Sequence, residues 1–252
     1  MTEKILQKLR QLEEEYGFQV LYACESGSRA WGFASADSDY DVRFLYVWPK
    51  DRYLGIFSPP DSIDLEIDVD DLDFSGWDLR KALPLFRKSN GPLLEWLFSP
   101  IVYFEDDSVL SQWRELVPTY FSPGNSIAHY LGLSRKIHGA IEETGEATAK
   151  KYLYVLRALL SAAYIIEKGR PPLVEFARLQ EQLNLPTPVR AEIERMISEK
   201  ATGSESDGIS RNEILDRFIE EKTAALQASS SMLDRSLADV APLDEFFRSV
   251  IA

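Results

Sequence analysis

Apolar residues recur along the chain with two different periods, and the change from one to the other divides it. Ile5, Leu9, Leu12 and Tyr16 fall at helical spacing, which predicts an amphipathic helix over residues 4–15, stopped by Gly17. FQVLYAC (18–24) predicts a strand. After a turn-rich stretch, ESGSRAWGFASADSDYD, the apolar run VRFLYVW (42–48) predicts a second. Pro49 and the pair Pro59–Pro60 bracket a loop. IDLEIDV (63–69) alternates strictly, predicting a strand with Ile63, Leu65, Ile67 and Val69 on one face and Glu66 and Asp68 on the solvated one. DLDFS (71–75) predicts a further strand or the continuation of this one. From Trp77 the period turns helical: Leu79, Leu83 and Phe86 form one stripe, and Pro92 suits the first turn of a helix carrying Leu94 and Trp96. IVYF (101–104) returns to the sheet. Helices are predicted over 108–118, 125–143, 147–168, 174–184, 187–199 and 211–227, with TGSESDGIS (202–210) as a mobile link. The chain therefore reads as α+β, with a small mixed-sheet head over residues 1–105 and a helical body over residues 106–252.

Composition narrows the class. A chain of 252 residues, 45% hydrophobic and with five tryptophans, can bury a sizeable core. No run of 18 apolar residues occurs, so no membrane-spanning helix is expected. The opening MTEKILQKLR is charged and lacks a continuous apolar stretch, so no secretory leader is expected. Cys24, the single cysteine, excludes an internal disulfide framework, and a cytoplasmic location is the expectation. His129 and His138 lack the i, i+4 spacing of a helical metal pair and read as ordinary helix residues. The net charge of −13 argues against a protein that coats nucleic acid by bulk attraction. Charge is uneven, however: residues 36–78 hold twelve acids and three bases, whereas SRKIHG and AKKYLYVLR are locally basic. An acidic metal site with a basic phosphate clamp would produce this pattern, and so would ordinary solvated surface.

The informative stretch is Gly27-Ser28, ten residues, then Asp39-Tyr40-Asp41 at the mouth of an apolar strand. Side chains two apart in an extended chain point the same way, so Asp39 and Asp41 are expected to project together. Two uncompensated carboxylates repel, which makes a divalent cation their natural partner. Hard oxygen ligands favour magnesium, which binds one or two carboxylates together with substrate phosphates. Gly27 allows close backbone approach, and the Ser28 hydroxyl and neighbouring N–H groups can hold phosphate oxygens. An Asp-x-Asp by itself equally suits a solvated Asx-turn. The conjunction of strand, Gly-Ser, fixed gap, paired aspartates and apolar strand is the stronger signal.

GSRAWGFASADSDYDVRFLYV resembles the signature of the DNA polymerase β-like nucleotidyltransferase superfamily. SGWDLRKALPLFRKSNGPLLEWLFSPIVY and KKYLYVLRALLSA further resemble the RlaP-type nucleotidyltransferases associated with RNA repair; the matching blocks span roughly residues 22–173. The resemblance implies a polymerase β palm-like head that moves a nucleoside monophosphate from an NTP to a hydroxyl acceptor, with two magnesium (or manganese) ions and release of pyrophosphate. It implies an RNA end as acceptor; a protein, as for antitoxin-like enzymes, a small hydroxylated molecule, and a noncatalytic nucleotide-sensing module are the alternatives. A third carboxylate on a neighbouring strand is implied too. Asp71, Asp73 and Asp78 lie within reach of that role; Asp73 is chosen because Leu72 and Phe74 should face the core, while Asp78 suits a helix cap. Lys151 and Arg157 are implied as triphosphate cations, ahead of Arg135 and Lys136. The alternative for these bases is pairing with Glu142, Glu143 or Glu146. Trp31, Phe33 and Tyr154 could stack on a base, although core packing is the simpler role. A P-loop and a GxSxG elbow are both absent.

Overall fold

Strands whose two faces are both apolar need cover on both sides, and the first of two compact units supplies it. The computed structural model describes residues 1–67, 69–202 and 208–252. The first unit comprises Met1–Ala30, Asp39–Phe121 and Leu237–Ala252. Its elements are α1 (Thr2–Tyr16), β1 (Gln19–Glu25), α2 (Gly27–Trp31, whose last residue counts with the second unit), β2 (Tyr40–Val47), α3 (Lys50–Tyr53), β3 (Ser62–Asp64), β4 (Leu72–Asp78), α4 (Leu79–Arg87), α5 (Gly91–Leu97), β5 (Val102–Glu105) and α6 (Asp107–Tyr120). The sheet runs β3-β4-β2-β1-β5; β2 and β4 are parallel and the other neighbours antiparallel, so the sheet is mixed. Under one face lie Ile5, Leu9 and Leu12 of α1, against Val42, Phe44, Phe74 and their neighbours. Under the other, Leu45 and Val47 pack with Leu83 and Phe86 of α4, Trp96 of α5 and Trp113 of α6.

Local chemistry sets the boundaries. Gly17 ends α1 in the left-handed region (φ 76°), its N–H donating to the Glu13 carbonyl. Asp78 caps α4, its carboxylate accepting the Arg80 N–H at 2.8 Å and the Tyr53 hydroxyl at 2.7 Å. Asn90 caps α5, where Pro92 stands in the first turn. The strand expected over residues 63–69 is corrected: β3 ends at Asp64, Ile67 is largely exposed and Val69 fully so. The reason lies in the partner strand. β3 and β4 pair as Ile63↔Gly76 and Asp64↔Ser75, and the same register carried on would set Glu66 opposite Asp73. Like charges directly across a ladder destabilise it, so the chain leaves the sheet. Asp68 lies outside the described residues.

The first unit also takes in a helix that the sequence pattern did not signal, α12 (Ala241–Val250), whose Leu243 and Phe246 join the core beside α4 and α6. Its approach is held by Arg87 Nε, donating to the Ala238 carbonyl at 2.7 Å, and by the Tyr120 hydroxyl, donating to the Asp239 carbonyl at 2.7 Å.

The second unit, Trp31–Ser38 and Ser122–Ser236, is helical. It holds α7 (Pro123–Thr144), α8 (Ala149–Lys168), α9 (Phe176–Glu181), α10 (Thr187–Thr202) and α11 (Glu213–Ser230), with a two-residue ladder of β6 (Ala147–Thr148) and β7 (Gly208–Ile209). α8 is apolar on nearly every side and forms the centre of this unit. A buried polar cluster ties α7, α8 and α11 together. Asp216 accepts the Tyr152 hydroxyl at 2.8 Å and Arg211 Nε at 3.0 Å, and lies 3.0 Å from His138 Nε2. Both histidines sit on α7. The link expected over 202–210 falls mainly on 203–207, outside the described residues. Among the described residues no helix is long and apolar enough to cross a membrane.

Candidate functional site

The parallel register of β2 and β4 sets Asp41 directly beside Asp73. Residues two apart on a strand share a face, so Asp41 and Arg43 lie on the side of β2 that carries Leu45, and Asp73 on the matching side of β4. Arg43 Nη2 donates to Asp41 Oδ1 and to Asp73 Oδ2, both at 2.7 Å. Its Nη1 donates to the carbonyls of Asp73 at 2.9 Å and Val42 at 3.2 Å. Side by side, the carboxylates would repel; one guanidinium, 16% exposed, serves both, each of them 28% exposed. Of the three acids expected to share an ion, the structure therefore brings two together. Asp39 stands ahead of β2 and is exposed, and among the described residues no group of three or more His, Cys, Asp or Glu forms a ready metal site. Asp71 sits in the turn before β4 with a left-handed backbone (φ 58°), while Asp78 is committed to its cap.

Gly27 explains how Asp41 keeps its place. It follows β1 with φ 57°, and a Cβ on it would stand 1.9 Å from Asp41 Oδ2. A side chain at this position would occupy the space that the carboxylate fills. Ser28 beside it is buried. Arg29 ties the same turn to the acidic strand, its guanidinium lying 3.7 Å over the Tyr40 ring and its Nε donating to the Asp39 carbonyl at 3.0 Å.

Behind the pair lies Glu25, which is 1% exposed. Its Oε1 accepts the Asp41 N–H at 2.7 Å, its Oε2 accepts the Tyr103 hydroxyl, and its main-chain carbonyl accepts the Ser99 hydroxyl at 2.6 Å. Burial pushes the Glu25 carboxyl above its ordinary 4.5; the bonds from Tyr103 and Asp41 pull the other way without cancelling it. A raised acid favours folding below its unfolded value and loses that contribution as pH rises through the folded one. Glu25→Gln removes this titration, so the variant should gain stability relative to the wild type as pH rises from 4.5, measured by urea unfolding across that range. A stability difference that stays flat with pH would contradict a buried charge at this position.

In the second unit, Lys151 Nζ donates to the Glu146 carbonyl at 2.8 Å and stands 4.0 Å from that residue's carboxylate. Arg157 is buried, with its guanidinium 3.7 Å over the Trp31 ring. Trp31 meets Tyr154 edge-on at 5.0 Å, and Phe33 meets Phe176 edge-on at 5.6 Å. These aromatic rings thus pack on one another and on Arg157. Arg135 and Lys136 are exposed on α7, where Arg135 Nε donates to the Leu131 carbonyl of its own helix.

Residues 1–249 match the family RlaP, described as the RNA repair pathway DNA polymerase beta family. The chain belongs to that family. The uncharacterized protein YcgL of Bacillus subtilis (strain 168) is 40% identical over 240 residues, 95% of this chain and 92% of its own. Among solved structures, the nucleotidyltransferase-like protein from Exiguobacterium sibiricum 255-15 aligns with 97% of this chain and 78% of its own at 14% identity, with a TM-score of 0.33. Membership makes the protein nucleotidyltransferase-like, of the polymerase β type.

Proposed function

We propose that the protein is a metal-dependent nucleotidyltransferase that moves a nucleoside monophosphate from an NTP to a hydroxyl group, with an RNA end as the acceptor, a reading supported by the family's description as an RNA repair pathway family. The observation that carries this reading is the Asp41–Asp73 pair, held in register on adjoining strands with Gly27 pressed against one member. The donor set fits magnesium or manganese: hard carboxylate oxygens, a quarter open to solvent, already matched to a positive charge. Two such oxygen donors leave most of a metal's ligand positions to water and phosphate, with Asp39 at the strand mouth as the further carboxylate. Bound there, divalent cations supply polarisation of the attacking hydroxyl and neutralisation of the leaving pyrophosphate.

The chain's own residues do the rest. The acceptor oxygen bonds to the α-phosphorus, the bond to the bridging oxygen breaks, pyrophosphate leaves, and Asp73 takes the hydroxyl proton. Backbone N–H groups at Gly27 and Ser28 hold phosphate oxygens at the start of α2. Lys151, a third exposed, is the cation that the family resemblance implies for the triphosphate, and Arg157 lies over the Trp31 ring. Positioning and charge stabilisation carry most of the rate in such chemistry.

The test is incubation with each labelled NTP, with magnesium or manganese, beside RNA, protein and small hydroxylated acceptors. Cation-dependent pyrophosphate release with label on RNA is the expected result. Label on protein or a small molecule would overturn the acceptor, and nucleotide binding without any release would reduce the protein to a sensor.

A further inference from the structure

Arg43 has four acceptors, and two of them are the carboxylates of the catalytic pair. We propose that Arg43 is a resident counter-charge that keeps the Asp41–Asp73 pair closed to free divalent cations and yields it only to a cation arriving with nucleotide. The inference rests on the reading of this pair as a metal–nucleotide site.

The electrostatics follow from the geometry. A free cation entering between Asp41 and Asp73 must displace two charge-assisted hydrogen bonds of 2.7 Å. It must also tolerate a guanidinium held close by the carbonyls of Val42 and Asp73 on the same two strands, which is like charge at short range. A triphosphate changes the balance on both counts. Its oxygens compensate the incoming cation, and they offer the displaced guanidinium a bidentate acceptor in exchange for the carboxylates. Loading of metal and loading of nucleotide are thereby coupled through one side chain, and by linkage the coupling is reciprocal.

The experiment measures manganese binding directly, by the loss of the free-ion paramagnetic resonance signal, with and without a non-hydrolysable NTP analogue. It uses the wild type, Arg43→Gln, Arg43→Lys and Asp41→Asn. The wild type should bind manganese weakly alone and much more tightly with the analogue. Arg43→Gln should bind manganese alone at least about tenfold more tightly than the wild type, because the competing charge is gone. Arg43→Lys, which keeps a charge, should stay near the wild type. Should Arg43→Gln fold only with metal, the wild-type melting temperature serves: it should rise with manganese plus analogue and stay unchanged with manganese alone. Arg43→Gln binding no tighter than the wild type, or an equal rise with manganese alone, overturns the proposal. The metal-site reading fails separately, if neither the wild type with analogue nor Arg43→Gln binds manganese beyond the level of Asp41→Asn.

Discussion

Asp41→Asn should lose nucleotide transfer by roughly a thousandfold, the scale seen when one preorganised charge contact to a transition state is removed. Its melting temperature should stay within a few degrees of the wild type. The two halves of this expectation have different origins. Asn keeps the shape of Asp, and its amide oxygen can still accept the Arg43 hydrogen bond that Asp41 Oδ1 takes at 2.7 Å. Arg43 also retains Asp73 and two carbonyls, so no buried donor is orphaned. Arg43 keeps its charge-assisted bond to Asp73, and removing one of two adjacent negative charges relieves repulsion. What disappears is a full negative charge at the position proposed to hold a divalent cation against phosphate. Transfer measured at saturating manganese and NTP, with unfolding followed in parallel, reads both. An Asp41→Asn protein that still transfers at near wild-type rate would remove the basis of the enzyme assignment.

How much of this was legible before folding depends on which interactions are local. α1 announced itself through Ile5, Leu9 and Leu12 at helical spacing and through Gly17, because an amphipathic helix and its left-handed stop are properties of one segment. The same holds for β4, where Leu72 and Phe74 turn inward and leave Asp73 facing the other way, and for the Asp78 cap. Residues 63–69 misled for the opposite reason. Their alternation is a one-strand property, but whether a strand persists is decided by the neighbour, and here the neighbour would set Asp73 against Glu66. α12 escaped notice although Leu243, Phe246 and Val250 fall at helical spacing, since a short stripe far along the chain does not reveal its partner, the α4–α6 face.

Within the candidate site, Asp41, Asp73 and Gly27 were readable from motif and alternation. Arg43 and Glu25 were not. Arg43 carries its meaning only once β2 and β4 are parallel and in register, although a lone base two residues beyond Asp41 in an apolar run was a usable hint. Glu25 reads as an ordinary strand end until Tyr103, 78 residues away, closes over it. Cross-strand partners are what a single sequence hides. They also hold the Asp41 carboxylate in place: Asp41 has Glu25 on its backbone, Arg43 on one oxygen and Gly27 against the other.

Gly27→Ala tests that confinement most directly, and the effect should be large on two scales. The alanine Cβ would stand 1.9 Å from Asp41 Oδ2 and 2.7 Å from its Cγ, in a backbone with φ 57°. Left-handed backbone costs a non-glycine residue about 1 kcal/mol, and overpacking adds about 1–3 kcal/mol to it, so a loss of about 2–4 kcal/mol in urea unfolding is expected. The carboxylate must also rotate away from Arg43, and displacing a reacting group by about 1 Å costs roughly a hundredfold in rate. Gly17→Ala is the control for strain alone: φ is 76° and nothing lies within 4 Å of the added Cβ, so it should cost about 1 kcal/mol and leave transfer unchanged. In an Asp41→Asn background the clash persists, because Asn fills the same volume, but no active carboxylate remains to be displaced. There Gly27→Ala should still lower stability and no longer lower the residual rate. This separation of the two costs would show that the glycine serves catalysis through Asp41 and not through the fold. A hundredfold loss in both backgrounds would instead assign Gly27 to the phosphate directly.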